Sequence, residues 1–402
     1  MRKFVYKYRF LTVVYETCRL TCAQIRKLMG KKEICPVWYS FEEIPEKTNK
    51  ENFEINKAWY SIRRPLHIHE HIYYNLDNAL AVNPKIKGFA LVFFMGLGDY
   101  LYTTPLIEAI AKKYPNMELW AYVSDKMDRN NSPLVAGLLK TNPHIKKVKT
   151  FKGIRNPFIW KNYDYSEVIK NAPKDFLVLP VYYEYKKISL HRTASLFDTF
   201  GLPFNERKNF PRPIFYFPEE IPVKIADSIK TIKKSAKGTK GIIFLQLDSR
   251  SSSYTYPEID ELVRRLIWDN YLVLSVTKCG VVDPHFKMLD IKKFSFNENC
   301  HLLSLLKKEF PLYIISLISV FWSASAGLDI PNLGLQHWFD PKLHNMYYPN
   351  TLVLTESKYS KIPSKNQIVV HENTDFTRHN KKIIDFKVET ILKYLSHLIS
   401  SK

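Results

Sequence analysis

Two uninterrupted apolar runs constrain this chain more than any other feature: Gly88 to Phe94 (GFALVFF) and Gly241 to Leu247 (GIIFLQL). Neither alternates apolar with polar residues over its length, so neither fits a strand with one face in water. Such runs read as strands buried on both faces, the pattern of a parallel sheet covered by helices. Each opens a series of alternating strands and helices. In the first series the spacing predicts a helix over Thr103 to Tyr114, with Pro105 in its first turn, where proline is tolerated. A strand follows over Met117 to Val123 and a helix over Leu134 to Leu139. Short strands come next at Ile145 to Val148 and Phe176 to Leu179, then a helix over Ser189 to Phe200 closed by Gly201. The second series continues with a helix over Pro257 to Trp268 and a strand over Tyr271 to Val276. A helix over His301 to Lys308, strands at Leu312 to Ile318 and Asn332 to Leu335, and an amphipathic helix over Val388 to Ile399 complete it.

Two such series in 402 residues predict an α/β protein of two Rossmann-like, doubly wound domains facing a cleft. Ligands in such sheets bind beyond the carboxyl ends of the strands, here near the turns after Phe94 and after Leu247. The expected organisation is an N-terminal basic and amphipathic extension over 1–84 and a first domain over 85–215. A polar, proline- and lysine-rich linker over 216–240, a second domain over 241–380 and a terminal helix over 381–402 follow.

Charge then narrows the partner. The chain carries 60 Lys+Arg against 39 Asp+Glu, a formal net charge of +21, which predicts an anionic partner. The excess is uneven: residues 1–32 hold nine bases against Glu16, and residues 140–174 hold nine against Asp164 and Glu167. The first segment does not read as a signal peptide, because Arg9, Glu16 and Arg19 interrupt any apolar core; it reads as a basic amphipathic helix, lying on a bilayer or docked on the protein. Pro311 to Leu328 lacks charge, but its proline, Gly327 and four serines favour a buried strand running into a helix over a membrane span. Five cysteines without a paired spacing favour a reducing compartment. His67, His69 and His71 could face one way on a strand, but no further ligand lies at metal-site spacing. The lysine and aromatic mixture of 140–174 carries no nucleic-acid motif, so no nucleic-acid partner is expected.

The most specific stretch is Gly96 to Val123, GLGDYLYTTPLIEAIAKKYPNMELWAYV. It resembles the opening βαβ of glycosyltransferase family 9, the lipopolysaccharide heptosyltransferases, with Gly98-Asp99, Thr103-Thr104-Pro105 and the Lys-x-x-Pro stop. His191 to Pro203 (HRTASLFDTFGLP), Phe244 to Pro257 (FLQLDSRSSSYTYP) and Gly327 to Leu335 (GLDIPNLGL) agree in order and spacing. The likeness covers about residues 86–350. It implies a GT-B fold, with the nucleotide-sugar donor on the second domain and the acceptor on the first. It also implies inverting, metal-independent sugar transfer, with no cofactor, to a lipopolysaccharide-type or other surface glycan. The phosphorylated glycolipid or glycan acceptor, and an anionic membrane surface, place the protein in the cytoplasm, peripheral on the inner face of the cytoplasmic membrane.

Carried over residue by residue, the resemblance makes Asp99 the general base that takes the acceptor hydroxyl's proton. On local sequence alone Asp99 reads as a helix cap; the surrounding motif turns it into the base. Backbone N–H groups at the turn are expected to keep it ionised. Ser249, Arg250, Ser251 and Ser252 form a hydroxyl-rich loop with one guanidinium between a strand and a helix, suited to a diphosphate or simply to solvent. Asp283, Ser323, Ser325 and Gly327 are further donor-site candidates. Gly98, Thr103, Thr104, Lys149, Lys152 and Arg155 are acceptor-site candidates, with Lys146 and Lys147 beside them. Two departures stand out. Tyr256 replaces the family's Trp before Pro257, and the family's Asp-(Thr/Ser)-Gly-x-x-His nucleotide loop is missing from ISVFWSASAGLDIP. That loss supports an alternative: a GT-B protein that binds glycan or nucleotide without turnover.

Overall fold

The computed structural model describes residues 76–94, 96–125, 132–152, 154–155, 163–164, 166–181, 192–202, 211–248, 255–289, 294–317, 319–336, 348, 350–356, 367–370 and 386–400. The chain divides into two compact units. The second gathers the described part of Asn205–Lys402 with two short segments from earlier in the chain, Leu97–Pro105 and Ser189–Thr193.

The first unit is built on a parallel sheet of β1 (Gly88–Phe93), β2 (Glu118–Ser124), β3 (Ile145–Phe151) and β6 (Phe176–Val181), in the order β3-β2-β1-β6. β1 and β6 are buried at every position, as uninterrupted apolar runs require. Gly88 is needed at the mouth of β1, because a Cβ there would stand 2.4 Å from the Glu118 carbonyl oxygen and 2.5 Å from the Phe176 ring. Between β3 and β6 a two-residue pair, β4 (Ile154–Arg155) with β5 (Tyr163–Asp164), runs antiparallel. Helices Thr104–Lys113, Ser132–Thr141 and Ser166–Asn171 alternate with the strands.

The second unit holds seven parallel strands: β7 (Ile242–Gln246), β8 (Leu272–Ser275), β9 (Phe286–Met288), β10 (Leu312–Leu317), β11 (Asn332–Gln336), β12 (Thr351–Glu356) and β13 (Gln367–Val370). Their order is β13-β12-β11-β10-β7-β8-β9. Chain order therefore reverses between β7 and β10, and this is the point where a doubly wound sheet opens a crevice at its carboxyl edge. On one face Ile243, Leu245 and Leu247 pack with Leu262, Val263 and Leu266 of helix Ile259–Trp268 and with Ile391 and Leu395 of helix Val388–Ser400. On the other lies helix Val320–Leu328, whose Trp322 is fully buried; a Cβ on Gly334 would fall within 1.4 Å of its ring. Glycine in β11 makes room for that indole.

Several sequence expectations need correction. The connector over 216–240 contains helix Val223–Ala236, which buries Ile225, Ile229, Ile232 and Ala236. Its lysines disguise an amphipathic helix, since they occupy only the opposite face. The helix expected over His301 to Lys308 begins earlier, at Phe296, because Ser295 and Glu298 form a reciprocal capping box. β9, β12 and β13 were not anticipated. The uncharged stretch from Pro311 to Leu328 is indeed β10 followed by a helix, and no described helix is long and apolar enough to cross a membrane.

Candidate functional site

The segment after β1 is a short helix, Leu97–Leu101, which buries Leu97, Tyr100 and Leu101 and carries Asp99 in its first turn. The chain then tightens. Tyr102 N–H donates to the Asp99 carbonyl (3.2 Å) and Thr103 N–H to that of Tyr100 (2.8 Å), so the turn is held by its own backbone. The threonines reinforce it. Thr103 Oγ1 donates to the Tyr100 carbonyl (2.6 Å), and Thr104 Oγ1 donates to that of Leu101 (2.8 Å) while accepting from Ile214 N–H (2.8 Å). Both threonines are buried. Their hydroxyl protons are given to the turn's own carbonyls.

Gly98 sets this turn against the amino end of helix Val320–Leu328. A Cβ on Gly98 would stand 3.6 Å from Val320 Cα and 3.7 Å from its nitrogen, ordinary contact distances. That amino end follows β10, so it sits at the strand-order reversal, and its unpaired N–H groups give it partial positive charge. Ser319, its N-cap, makes no side-chain capping bond, and its buried Oγ has no hydrogen-bond partner among the described residues. Gln246 closes β7 beside it, in register with Ser316 of β10. Its Nε2 donates to the Asp248 carbonyl, while its buried Oε1 has no partner among the described residues. Buried polar atoms seldom stay unsatisfied, so two of them at a crevice are what a polar ligand would complete.

The Asp99 carboxylate is engaged by a cation. Its Oδ1 accepts a hydrogen bond from Arg192 Nη1, the first residue of helix Arg192–Thr199. The Arg192 side chain is 11% exposed and that of Asp99 30%, so the carboxylate remains reachable while the guanidinium is enclosed. Burial pushes the Arg192 pKa down to about 9, which still leaves it charged near neutrality. Its guanidinium carbon lies 5.8 Å from the Tyr102 ring centre. Thr193, next along, donates from Oγ1 to the Tyr102 carbonyl (3.2 Å) and meets the Tyr348 hydroxyl. Burial keeps the Tyr100, Tyr102 and Tyr348 phenols well above their ordinary pKa, hence neutral.

The donor-site candidates on helix Val320–Leu328 fare differently. Ser323 is buried, and its Oγ donates to Tyr102 Oη (2.8 Å). Ser325 Oγ donates to the Trp322 carbonyl (2.7 Å) and accepts from Asn332 Nδ2 (3.0 Å), which also donates to Ser316 (3.0 Å). Gly327 lies where a Cβ would stand 2.3 Å from the Pro213 carbonyl. All three are thus engaged within the fold: two by hydrogen bonds and one by close packing. Asp283 lies in the loop before β9, where its Oδ1 accepts from His285 N–H (2.7 Å). Ser249, Arg250, Ser251 and Ser252 lie outside the described residues, as do 1–32 and His67, His69 and His71. The stems of the serine loop are pinned: Asp248 bridges Thr255, Tyr256 N–H donates to the Leu247 carbonyl (2.9 Å), and Thr277 Oγ1 donates to Asp248 Oδ1 (2.9 Å). Tyr256, in the family's Trp position, is buried and donates to the Phe386 carbonyl (2.9 Å).

The lysine candidates belong to the first unit. Lys147 and Lys149, exposed on edge strand β3, lay their ammonium groups over the Trp120 ring at 4.4 Å and 4.7 Å from its centre. Lys146 pairs with Glu118, holding that carboxyl below its ordinary pKa. Lys152 is exposed, its backbone N–H donating to Glu167 Oε2 (2.9 Å), and Arg155 lies in β4. Arg192, Gln246 and Ser319 were missed by sequence reasoning. Two signals were present: a polar residue closing an otherwise apolar strand at Gln246, and an Arg-Thr pair opening the helix of HRTASLFDTFGLP.

No protein-family profile matches the chain, and no curated protein matches it. Solved structures do. The glycosyl transferase family 9 structure from Veillonella parvula is similar with a TM-score of 0.53 at 13% identity, over 79% of this chain and 98% of that one. Two further similar structures are the E. coli ADP-heptose lipopolysaccharide heptosyltransferase II (TM-score 0.48, 13% identity, 78% of this chain and 99% of that one) and the E. coli heptosyltransferase WaaC with ADP (0.45, 13%, 77% and 99%). The first likeness establishes a shared fold, the GT-B type expected from sequence.

Proposed function

We propose that this chain is an inverting, metal-independent glycosyltransferase that moves a sugar, a heptose or a similar one, from a nucleotide-sugar to a surface glycan. One observation carries the reading: Asp99, ion-paired yet reachable, lies on a turn packed against the helix amino end at the strand-order reversal of the second sheet. In this reading the diphosphate lies at the amino end of helix Val320–Leu328, near Ser319 and Gln246. By residue type, the Ser249–Ser252 stretch with Arg250 offers hydroxyls and a guanidinium suited to the same diphosphate. The acceptor hydroxyl attacks the anomeric carbon as its proton passes to Asp99. The bond from that carbon to the diphosphate breaks, and the nucleoside diphosphate departs with the electron pair. By charge alone, Lys149, Lys152 and Arg155 are the candidates for a phosphorylated acceptor.

Calorimetry with ADP-, GDP- and UDP-sugars is expected to find at least one that binds and is hydrolysed or transferred. A wild-type protein that binds one but turns over none would favour the binding-protein alternative, which the internal engagement of the Ser323 and Ser325 hydroxyls motivates. The basic segment 1–32 suits peripheral contact with the inner membrane face. Co-sedimentation with anionic liposomes should then weaken with salt and on deleting 1–32.

A further inference from the structure

We infer that Arg192 is the positioning residue of this site: its guanidinium fixes one oxygen of the Asp99 carboxylate, so that the exposed remainder is held ionised and aimed for proton transfer. The inference rests on the reading of Asp99 as the base. Four observations support it. The guanidinium is nearly enclosed and donates to Oδ1 of a carboxylate that is itself partly open. Its neighbour Thr193 is wholly buried, donates its single hydroxyl proton to the Tyr102 carbonyl and lies against the Tyr348 hydroxyl, which ties the helix start carrying Arg192 to the turn carrying Asp99. The turn is fixed from its other side, since Tyr102 Oη accepts from Ser323 and Thr104 Oγ1 accepts from Ile214 N–H. Finally, Tyr348 Oη donates to the Pro211 carbonyl (3.3 Å), anchoring the third element of the clamp.

A guanidinium enclosed beside a carboxylate is costly to leave once that pair is broken. A merely stabilising pair would serve as well at the surface, whereas this one sits on the residue whose charge the chemistry needs. Among the described residues, the following lie about the Asp99 turn. Arg192 comes from helix Arg192–Thr199 with the neutral Tyr102 ring beside its guanidinium, and the amino end of helix Val320–Leu328 adds partial positive charge where it packs on the turn. Arg212, which lies near Tyr348, is engaged with Asp329. Arg192 is thus the one full positive charge among these described neighbours.

The test is the pH–rate profile of the full chain with whichever of ADP-, GDP- or UDP-sugar it turns over, for wild type, R192M, R192K and D99N. Removing the guanidinium withdraws the stabilisation of the carboxylate. R192M should therefore move the acid limb of kcat/KM upward by roughly one to three pH units. It should also lower kcat at the optimum at least tenfold, with KM for the donor little changed. R192K, which keeps the charge but not the fork, should hold the acid limb within about half a unit of wild type while losing part of kcat. R192M with an unmoved acid limb overturns the inference even if its melting temperature falls, because that pattern is merely structural. Full activity in D99N instead overturns the reading on which the inference rests.

Discussion

Asp99 and Ser323 occupy equivalent places in the chain, each near the start of a helix that follows a fully buried parallel strand, β1 for one and β10 for the other. Their fates differ. The Asp99 side chain is 30% exposed and paired with an enclosed cation, whereas Ser323 is 2% exposed and gives its hydroxyl proton to Tyr102. A hydroxyl that the fold buries must find its partner inside the fold, and once it has done so it is lost to a ligand. A carboxylate held by one oxygen keeps the other part of its surface for chemistry. Position after a strand therefore nominates a residue, and satisfaction by neighbours decides whether it is available.

Substitutions break or sharpen that contrast. The largest effect is expected at Asp99: D99N should lower turnover by roughly 10²–10⁴-fold with the fold intact, the usual loss on removing a general base. Trp322→Ala, beneath the Ser323 helix, should cost about 3–5 kcal/mol in denaturant unfolding, because β11 has given up a side chain at Gly334 to seat the indole. S323A should cost about 1 kcal/mol and leave turnover within about twofold, since it removes a donor to Tyr102 rather than to substrate. A large kcat loss in S323A would erase the distinction drawn here. The smallest effect is at His301, stacked on Phe217 with ring centres 4.7 Å apart. Burial, with Lys308 nearby, holds its pKa below the ordinary 6.5. The unfolded chain thus binds the proton first, so stability should decline as pH falls below about 6.5 and down through the lowered value. His301→Phe should flatten that slope in melts taken between pH 7 and pH 5.

Much of the fold was legible because its signals are local. GFALVFF and GIIFLQL can satisfy their backbones and bury both faces only within a covered parallel sheet, and the serine-rich stretch after Pro311 declares its strand before its helix. Helix Val223–Ala236 was hidden because prolines precede it and lysines crowd its outer face, although its isoleucines recur at helical spacing. β9, with three residues, offers too short a pattern to detect. At the candidate site, Asp99 was nominated by a motif in contiguous sequence. Arg192 was not, because 93 positions separate it from Asp99 and only tertiary packing joins them. The serines of SASAG show what sequence does not display, the partners that packing supplies: Ser323 donates to Tyr102, and Ser325 accepts from Asn332, which also donates to Ser316.

The most direct measurement pairs binding with turnover at a single position. Calorimetric affinity and saturating turnover would be determined for wild type and D99N with the nucleotide-sugar that wild type binds. The account predicts donor affinity within about threefold between the two proteins and turnover lower in D99N by at least 100-fold, the lower end of what a general base contributes. Equal turnover in the two would contradict it, as would a wild-type chain that neither binds nor hydrolyses any of the ADP-, GDP- and UDP-sugars.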